Sequence, residues 1–339
     1  MFATILGALP RPPVDAAAAP SADNARPTAD DDAVRTVLAG QERAGIEPAT
    51  DGRLRWQGFL GPLMGLRGLV EAGGDVRAAK LPRRAQSLVL ADWQFATRST
   101  RTAVKQALPG PYTAGRRIDP GPVGREQVTL ALAEALNAEI AVLAAAGCPL
   151  IEIDEPHATN IGSDDDERRL FIEAHRRLTA GLSGTHLSLA LTGDNADASG
   201  VDTFIDAPYA SYAIDLINGP DNWRLVTAIP GERGIVCGAL DSRPGSDYAI
   251  EILVWAAQYA ASANGRGLDR VGIAVVPGLD HQDWSIVEGK LARLGRAAGV
   301  AGLSGDTLAA SLDPRAVDSR SAALGRFEPS ARRKGPTPG

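Results

Sequence analysis

The sequence predicts an α/β fold built as a (β/α)8 TIM barrel, and three observations support this prediction. Short apolar runs alternate with amphipathic helical stretches along most of the 339 residues. Outside one irregular segment, eight strand candidates begin near residues 3, 46, 103, 149, 186, 202, 234 and 270. Strands that alternate with helices favour parallel βαβ units, and eight such units make this barrel. A doubly wound sheet is the alternative, but no G-x-G-x-x-G pattern follows the first strand.

The first third of the chain contains two strand candidates and an insertion. The run 4–9 is apolar, and three aspartates then open a predicted helix at 33–44, as the helix dipole favours. The short run 46–50 meets Asp51-Gly52. Residues 53–101 lack a regular period and are interpreted as an insertion after strand two, with a β-ribbon and a strand-like run at 87–93.

From residue 102 onward the alternation is regular. Thr203-Phe204-Ile205 is interpreted as the start of strand six. Residues 1–312 form one predicted barrel domain, and the Pro-, Arg- and Ser-rich segment 313–339 is predicted to be a disordered tail. The other predicted strands are 103–108, 150–154, 186–191, 234–240 and 270–276, and the helices are 124–146, 164–181, 247–263 and 284–298.

Composition excludes several classes of protein. A net charge of −6 argues against a nucleic-acid-binding protein, which normally carries a basic excess. Two cysteines exclude a disulfide framework and a four-cysteine zinc site. No run reaches the roughly 18 consecutive apolar residues of a membrane span. We expect a cytoplasmic protein that acts on a small molecule, and the insertion leaves a homodimer open.

Candidate site residues follow from the rule that such barrels place their active site at the carboxyl ends of the strands. Asp154 and Glu155 follow an apolar strand and precede Pro156, so they are poor helix caps and a functional role is favoured. For any other single acid, capping of the next helix is an equal alternative. His157 is a candidate general acid or base. The further candidates are Arg11, Asp51, Arg53, Trp56, Tyr112, His186, Tyr209, Asp241 and Arg243.

The remaining histidines and the cysteines are given structural interpretations. His175 lies within a helix of charged residues and is expected to face solvent. His186 begins an apolar strand, where a buried structural role and a ligand role both stay open. His281 is expected at the surface. Cys148 and Cys237 are expected to act as small buried hydrophobic residues.

Several segments resemble, in order, the catalytic barrel of cobalamin-independent methionine synthase, a family of the methionine synthase/uroporphyrinogen decarboxylase-like superfamily. The most specific is LIEIDEPHA at 150–158. The others are TILGALPRP at 4–12, QERAGIEPATDGRLRW at 41–56, LPGPYT at 108–113, THLSLALTG at 185–193, VCGALDS at 236–242 and AVVPGLD at 274–280. The resemblance implies a (β/α)8 barrel of alkyl-transfer ancestry and a folate-type methyl donor.

The resembled family binds zinc through a His, a Cys two residues later, a Glu on the next strand and a Cys after strand eight. At the two cysteine positions of the family this chain has Ser188 and Leu279. Serine is a poor zinc ligand and leucine does not bind zinc, so no metal is expected here. A substitute site formed by His186, Asp206 and either Asp280 or His281 is the alternative. The residues at the family positions are His186, Ser188, Asp206 or Ala207, and Leu279.

Two further departures from the family concern the substrate. Arg53 stands where the family has a Glu that helps to hold the amino group of homocysteine. This reversal of charge favours an anionic substrate group, because arginine binds carboxylate or phosphate through two hydrogen bonds. Asp241-Ser242-Arg243 stands where the family has a His as general acid.

The sequence therefore predicts a metal-independent enzyme on this barrel that acts on a small anionic molecule. The reaction would be alkyl or methyl transfer, or a related lyase or hydrolase step. Asp154 or Glu155 would act as the base or orient the substrate, and His157 or His186 would move a proton. Arg11 and Arg53 would bind the anion, and Trp56 or Tyr112 would wall the pocket. The alternatives are a zinc-dependent thiol methyltransferase with misplaced ligands and a catalytically inactive binding subunit.

Overall fold

A computed structural model describes residues 1–13, 29–246 and 249–303, together with residues 307, 308 and 311. The predicted tail at 313–339 lies outside the described residues. The described residues form a mixed α/β fold in which seven parallel strands curl into a barrel-like sheet. This confirms the predicted fold class.

The parallel sheet has the strand order β1-β9-β8-β7-β6-β5-β4, and β2 and β3 form a separate antiparallel ribbon. Apart from β2 and β3, each strand pairs with neighbours in the order that βαβ units produce. The strands are β1 (Phe2–Ile5), β2 (Arg67–Ala72), β3 (Asp75–Arg83), β4 (Gln106–Pro109), β5 (Ile151–Asp154), β6 (Leu187–Leu191), β7 (Ser211–Asp215), β8 (Gly234–Leu240) and β9 (Val271–Val275).

Helices cover the outer face of the parallel sheet. The N-terminus of one of them, α5, is capped by Asp164, whose carboxylate accepts the amides of Asp166 and Glu167 at 2.9 and 3.1 Å. The helices are α1 (Ala29–Ala44), α2 (Leu90–Arg98), α3 (Pro111–Arg117), α4 (Arg125–Ala145), α5 (Asp165–Thr179), α6 (Val201–Ile205), α7 (Trp223–Ala228), α8 (Ile250–Ser262) and α9 (Trp284–Ala301).

The position of the eighth barrel strand is taken by residues 46–50, which make isolated bridges. The Glu47 amide donates to the Ala3 carbonyl at 2.9 Å, on the β1 side. On the β4 side, the Ala49 amide donates to the Ala103 carbonyl at 2.8 Å, and the Lys105 amide donates to the Ala49 carbonyl at 2.9 Å. This segment, which we call the seam, therefore spans the gap between β1 and β4.

Two apolar layers stabilise the fold. The larger core lies between the sheet and its helices and contains residues such as Leu189, Ile214 and Leu291. The side chains on the opposite face of the strands fill the barrel interior and are small, because eight strand positions converge there. This inner cluster consists of Leu6, Ala190, Ala213, Val236 and Ala274.

The insertion at 53–101 contains the predicted β-ribbon, formed by β2 and β3. The strand-like run at 87–93 is a wrong prediction, because α2 begins at Leu90. A carboxylate distant in sequence explains the difference. Oε1 of Glu139, on α4, accepts the amides of Leu88 and Val89, each at 2.9 Å, at the point where the helix starts.

The predicted sixth strand at 203–205 is also wrong. Those residues belong to the short helix α6, and the strand is β7, which begins at Ser211. Asp206 and Tyr209 consequently precede this strand and do not follow it. The residue at its carboxyl end is Asp215, which is fully buried.

Among the described residues, α4 is long and apolar enough to cross a membrane by length and composition alone. Half of its most apolar 18-residue window is buried inside the protein. It packs against α3, α5 and the ribbon strand β3.

Candidate active site

A cavity of about 680 Å³ lies at the carboxyl ends of the barrel strands. Its wall combines the loop after β1, residues 53–59, the end of α3 and the loops after β5, β6 and β9. Four of the residues predicted from the sequence line it: Arg11, Arg53, Trp56 and Asp154. The barrel rule therefore places this group together at one end of the sheet.

Arg53 and Asp154 form an ion pair in the cavity wall, between Nη2 and Oδ2. Their side chains are 9% and 10% exposed, so water screens the pair weakly. The Arg53 guanidinium also lies over the Trp56 ring, 4.9 Å from its centroid. The cation expected to bind a ligand thus already faces one carboxylate of the protein.

The turn that carries Arg53 has an unusual backbone. Arg53 has a φ of 57°, in the left-handed region that non-glycine residues rarely adopt. Oδ1 of Asp51 accepts the Arg53 amide at 2.9 Å and holds this conformation. Burial raises the pKa of Asp51, whose Oδ2 has no hydrogen-bond partner among the described residues. Asp51 thus lies behind Arg53 and shapes the turn, and it does not line the cavity.

Asp154 is the buried carboxylate that faces the cavity, and burial raises its pKa to about 6. Arg53 opposes this shift. Two residues earlier on β5, Glu152 pairs with Lys105 inside the barrel, with 2.6 Å between Oε2 and Nζ. Glu152 raises the pKa of Asp154 and Lys105 lowers it, so the effects of these two residues on Asp154 partly cancel. A carboxylate with such a pKa can exchange a proton near neutral pH.

Arg117, in the last turn of α3, is a cavity residue that the strand-end rule does not predict. It lines the cavity and stacks on the Phe59 ring, 4.5 Å from the centroid. It forms no ion pair with a carboxylate of the described residues, and burial lowers its pKa. By contrast, Arg11 pairs with Asp30 at 2.5 Å and donates to the Leu54 carbonyl at 3.0 Å. Among the described arginines that line the cavity, Arg117 is therefore the one without a carboxylate partner.

Glu155 points away from the cavity and into the protein. It accepts the backbone amides of Tyr112 and Thr113 at 2.9 and 2.7 Å, at the start of α3. His175 Nε2 lies 3.1 Å from its Oε1, and His175 Nδ1 lies 2.5 Å from the Tyr209 hydroxyl. The expectation that His175 faces solvent is wrong, since only 1% of it is exposed.

The other aromatic and histidine candidates near α3 lie behind the cavity wall. The Tyr112 hydroxyl donates to Glu167 at 2.5 Å, and its ring is fully buried against Phe171. His157 contacts Arg117, with 3.4 Å between Nε2 and the arginine Nε. Burial and Arg117 lower the pKa of His157, so its neutral form is favoured.

The remaining candidates do not line the cavity. His186 precedes β6, at the amino end of the barrel, and its Nε2 lies 2.9 Å from Ser211 Oγ. Tyr209 is fully buried beside His175. Arg243 donates through Nε and Nη2 to Asp241, which follows β8 and is almost fully buried.

A comparison with protein families finds a match at residues 75–176, which fit the model described as cobalamin-independent synthase, catalytic domain. This match confirms the predicted resemblance. The matched segment includes β5 and the IDEP sequence that carries Asp154 and Glu155.

Among known proteins, this chain is similar to a 5-methyltetrahydropteroyltriglutamate–homocysteine methyltransferase from Nitratidesulfovibrio vulgaris, with 32% identity over 155 residues. The alignment covers 44% of this chain and 18% of that relative, so the chain spans less than a fifth of the relative's length.

Solved structures share the fold. A B12-independent methionine synthase from Shewanella sp. W3-18-1, in complex with selenomethionine, has a TM-score of 0.73 at 20% identity and covers 88% of this chain and 97% of its own. A Listeria monocytogenes protein assigned as a vitamin-B12 independent methionine synthase has a TM-score of 0.66 at 17% identity, covering 80% and 86%.

The described residues at the carboxyl ends of β6, β7 and β9 do not form a zinc site. At the carboxyl end of β6 the residues toward the interior and cavity are Ala190 and Thr192, neither of them a zinc ligand. Asp215, the acid that ends the next strand, accepts hydrogen bonds from Gly193, Ile217 and Asn218 at 2.9–3.0 Å. Leu279 is buried. We therefore derive no step through a metal.

The alternative metal site is not assembled either. Asp206 is held by two hydrogen bonds from Arg176, at 2.7 and 2.9 Å. His186 lies at the amino end of the barrel, whereas Asp280 and His281 line the cavity at the carboxyl end. No group of three His, Cys, Asp or Glu side chains in the described part of the chain is arranged to hold a metal ion.

Proposed function

We propose that this chain is a methionine-synthase-like barrel enzyme that acts on a small anionic molecule without the family's zinc. The observation that carries the proposal is the cavity wall, where the buried Asp154 faces Arg53, and Arg117 has no carboxylate partner among the described residues. The family match supports methyl or alkyl transfer as the reaction, and a related lyase or hydrolase step stays within the proposal.

In this proposal the residues have distinct roles. Asp154 accepts or returns a proton, since its pKa of about 6 lets both forms exist near neutral pH. Arg53 and Arg117 attract the anion, and Trp56 forms part of the wall. Glu155 and His175 fix the start of α3 and thereby the helix that carries Arg117.

The proposal extends to the location of the protein, its assembly and its methyl donor. We propose a cytoplasmic location. For a homodimer, the proposed interface is the exposed ribbon formed by β2 and β3. A folate-type methyl donor is the first cofactor to test, because the similar protein from Nitratidesulfovibrio vulgaris is a 5-methyltetrahydropteroyltriglutamate–homocysteine methyltransferase.

The test measures the turnover of the purified full chain and of its D154N variant. Each is assayed with folate-type methyl donors in combination with thiols or small carboxylates. We expect D154N to abolish turnover while circular dichroism and the melting temperature show a folded chain. The matched control is D206N, whose carboxylate pairs with Arg176 away from the cavity. We expect this variant to keep full activity.

Retained activity in D154N would contradict the role of Asp154. The metal content of the same preparation decides the zinc question: near-stoichiometric zinc that turnover requires would overturn metal independence. Melting-temperature shifts without turnover for any pair of compounds would favour a binding subunit.

A further inference from the structure

Two buried N–H groups in the cavity wall have no acceptor among the described residues. They are Nε of Arg53 and Nε1 of Trp56, and both residues line the cavity. Buried donors in native proteins are nearly always paired, with protein, water or ligand. The two orphaned donors belong to side chains in contact, since the guanidinium lies 4.9 Å from the Trp56 ring centroid. Both groups would be satisfied by a ligand that placed an oxygen acceptor against each of them.

The backbone holds these donors in place before a ligand arrives. The left-handed conformation of Arg53 and the 2.9 Å hydrogen bond from its amide to Asp51 fix where the side chain leaves the turn. Strain of this kind persists where the surrounding structure determines it, and it is concentrated at functional sites. The Arg53 donor is thus pre-organised, which reduces the entropy lost when a ligand binds.

A second cationic group lines the same cavity from another element. Arg117 comes from the last turn of α3 and stacks on Phe59 at 4.5 Å. Its Nε contacts His157 Nε2 at 3.4 Å, which leaves the η nitrogens without a carboxylate among the described residues. Arg53 and Arg117 are therefore two separate attachment points for negative charge.

The cavity is unfavourable for a ligand that carries an ammonium group. Its buried carboxylate, Asp154, already faces Arg53. The other acid in the wall, Asp280, is at the rim, where 37% of its side chain is exposed. An ammonium would therefore enter a site in which arginines predominate and would meet like charge.

We infer that the cavity binds a small dicarboxylate without a free amino group. One carboxylate accepts from Arg53 Nε and Trp56 Nε1, and the other pairs with Arg117. This inference rests on the proposed function and specifies its substrate class. A cavity of about 680 Å³ has room for such a molecule together with water or a second reactant.

The test is calorimetric titration of the full chain with linear dicarboxylates from malonate to adipate and with monocarboxylates of matched length. Glutamate serves as the amine-bearing dicarboxylate and inorganic phosphate as a compact anion. We expect the best dicarboxylate to bind at least about tenfold more tightly than its matched monocarboxylate, and than glutamate, as one added charged contact implies.

Three variants assign the contacts. R117Q should remove the preference for the dicarboxylate and leave monocarboxylate affinity within about twofold. R117K, which keeps the charge and loses the planar fork, should give an intermediate preference. W56F, which keeps a ring and loses the N–H donor, should weaken both ligand classes several-fold. R43Q is the control, because Arg43 lies on α1, with 67% of its side chain exposed, and pairs with Glu288.

The outcomes separate the two proposals. If monocarboxylates bind as tightly as dicarboxylates, or if R117Q weakens both equally, the dicarboxylate inference is wrong while anion binding at the site stands. Preference for glutamate or for phosphate would also overturn the inference. If none of these anions binds to the folded chain, the anionic-substrate part of the proposed function fails as well.

Discussion

Asp154 is a buried carboxylate that shares one guanidinium with whatever anion enters the cavity. In the protein alone Arg53 stabilises the charged form of Asp154, against the effect of burial. A ligand anion that engages Arg53 weakens that stabilisation and adds negative charge nearby. Both effects favour the neutral form of Asp154, so its pKa rises on binding.

The first consequence is proton uptake. At pH 6.5, close to the pKa of about 6, the binding of a carboxylate should be accompanied by uptake of a fraction of a proton from the buffer. Titrations in buffers of different ionisation enthalpy measure this fraction as a slope. D154N should bind without uptake, and the wild-type uptake should decrease toward pH 8.5. Proton release, or uptake that persists in D154N, would show that Asp154 is not the group involved.

At the level of single residues, the sequence predicted part of this site. The strand-end rule placed Arg11, Arg53, Trp56 and Asp154 at the cavity. It could not find Arg117, which lies at the end of a helix, α3, and not at the end of a strand. The sequence also could not show that Arg53 faces Asp154, because the two are 101 positions apart and meet only in the folded barrel.

At the scale of elements, Glu155 connects three parts of the fold that surround the site. Its carboxylate accepts two amides of α3 and contacts His175 of α5, while its own residue follows β5. Gly110 is required beside it, because a Cβ at that position would come 2.1 Å from the carboxyl carbon of Glu155. The glycine of the segment LPGPYT is thus explained by packing against Glu155.

We expect E155Q to lower the free energy of unfolding by about 1–3 kcal/mol, because an amide NH2 cannot accept both backbone N–H groups and a buried donor loses its partner. Urea denaturation measures the change. E173Q is the matched control, since Glu173 is a half-exposed residue of α5 paired with Arg177, and its effect should stay below about 0.5 kcal/mol. Equal stability of E155Q and wild type would refute this structural role.

The two misplaced elements have physical explanations. Strand β7 contributes Ser211 and Ala213 to the crowded barrel interior, so its sequence is less apolar than the run 203–205. The start of α2 depends on Glu139, about 50 positions away. Local periodicity contains neither piece of information, whereas the strands β8 and β9 are buried apolar runs that identify themselves in the sequence.

On the scale of the whole molecule, the two ends of the barrel have different tasks. The cavity lies at the carboxyl end, and a fully buried arginine, Arg266, lies near the amino ends of β8 and β9. Its guanidinium donates to the carbonyls of Arg233, Ala260, Val226 and Ile229, at 2.6–3.3 Å. It thereby connects the segments around α7 and α8. Residues at this end of such barrels generally serve stability.

R266M should therefore reduce the free energy of unfolding by at least about 3 kcal/mol, since four buried carbonyls lose a charged donor. In the fraction that stays folded, carboxylate affinity at the opposite end should be unchanged within about twofold. Chemical denaturation and calorimetry of the same preparation measure the two quantities. A comparable loss of affinity would mean that the two ends are coupled.

The seam at residues 46–50 has an evolutionary consequence. It joins β1 to β4 through isolated bridges, and the turn that carries Arg53 follows it directly. Exchanging residues in this turn leaves the seven regular strands and their ladders untouched. Ligand preference can thus diverge here at little cost to foldability.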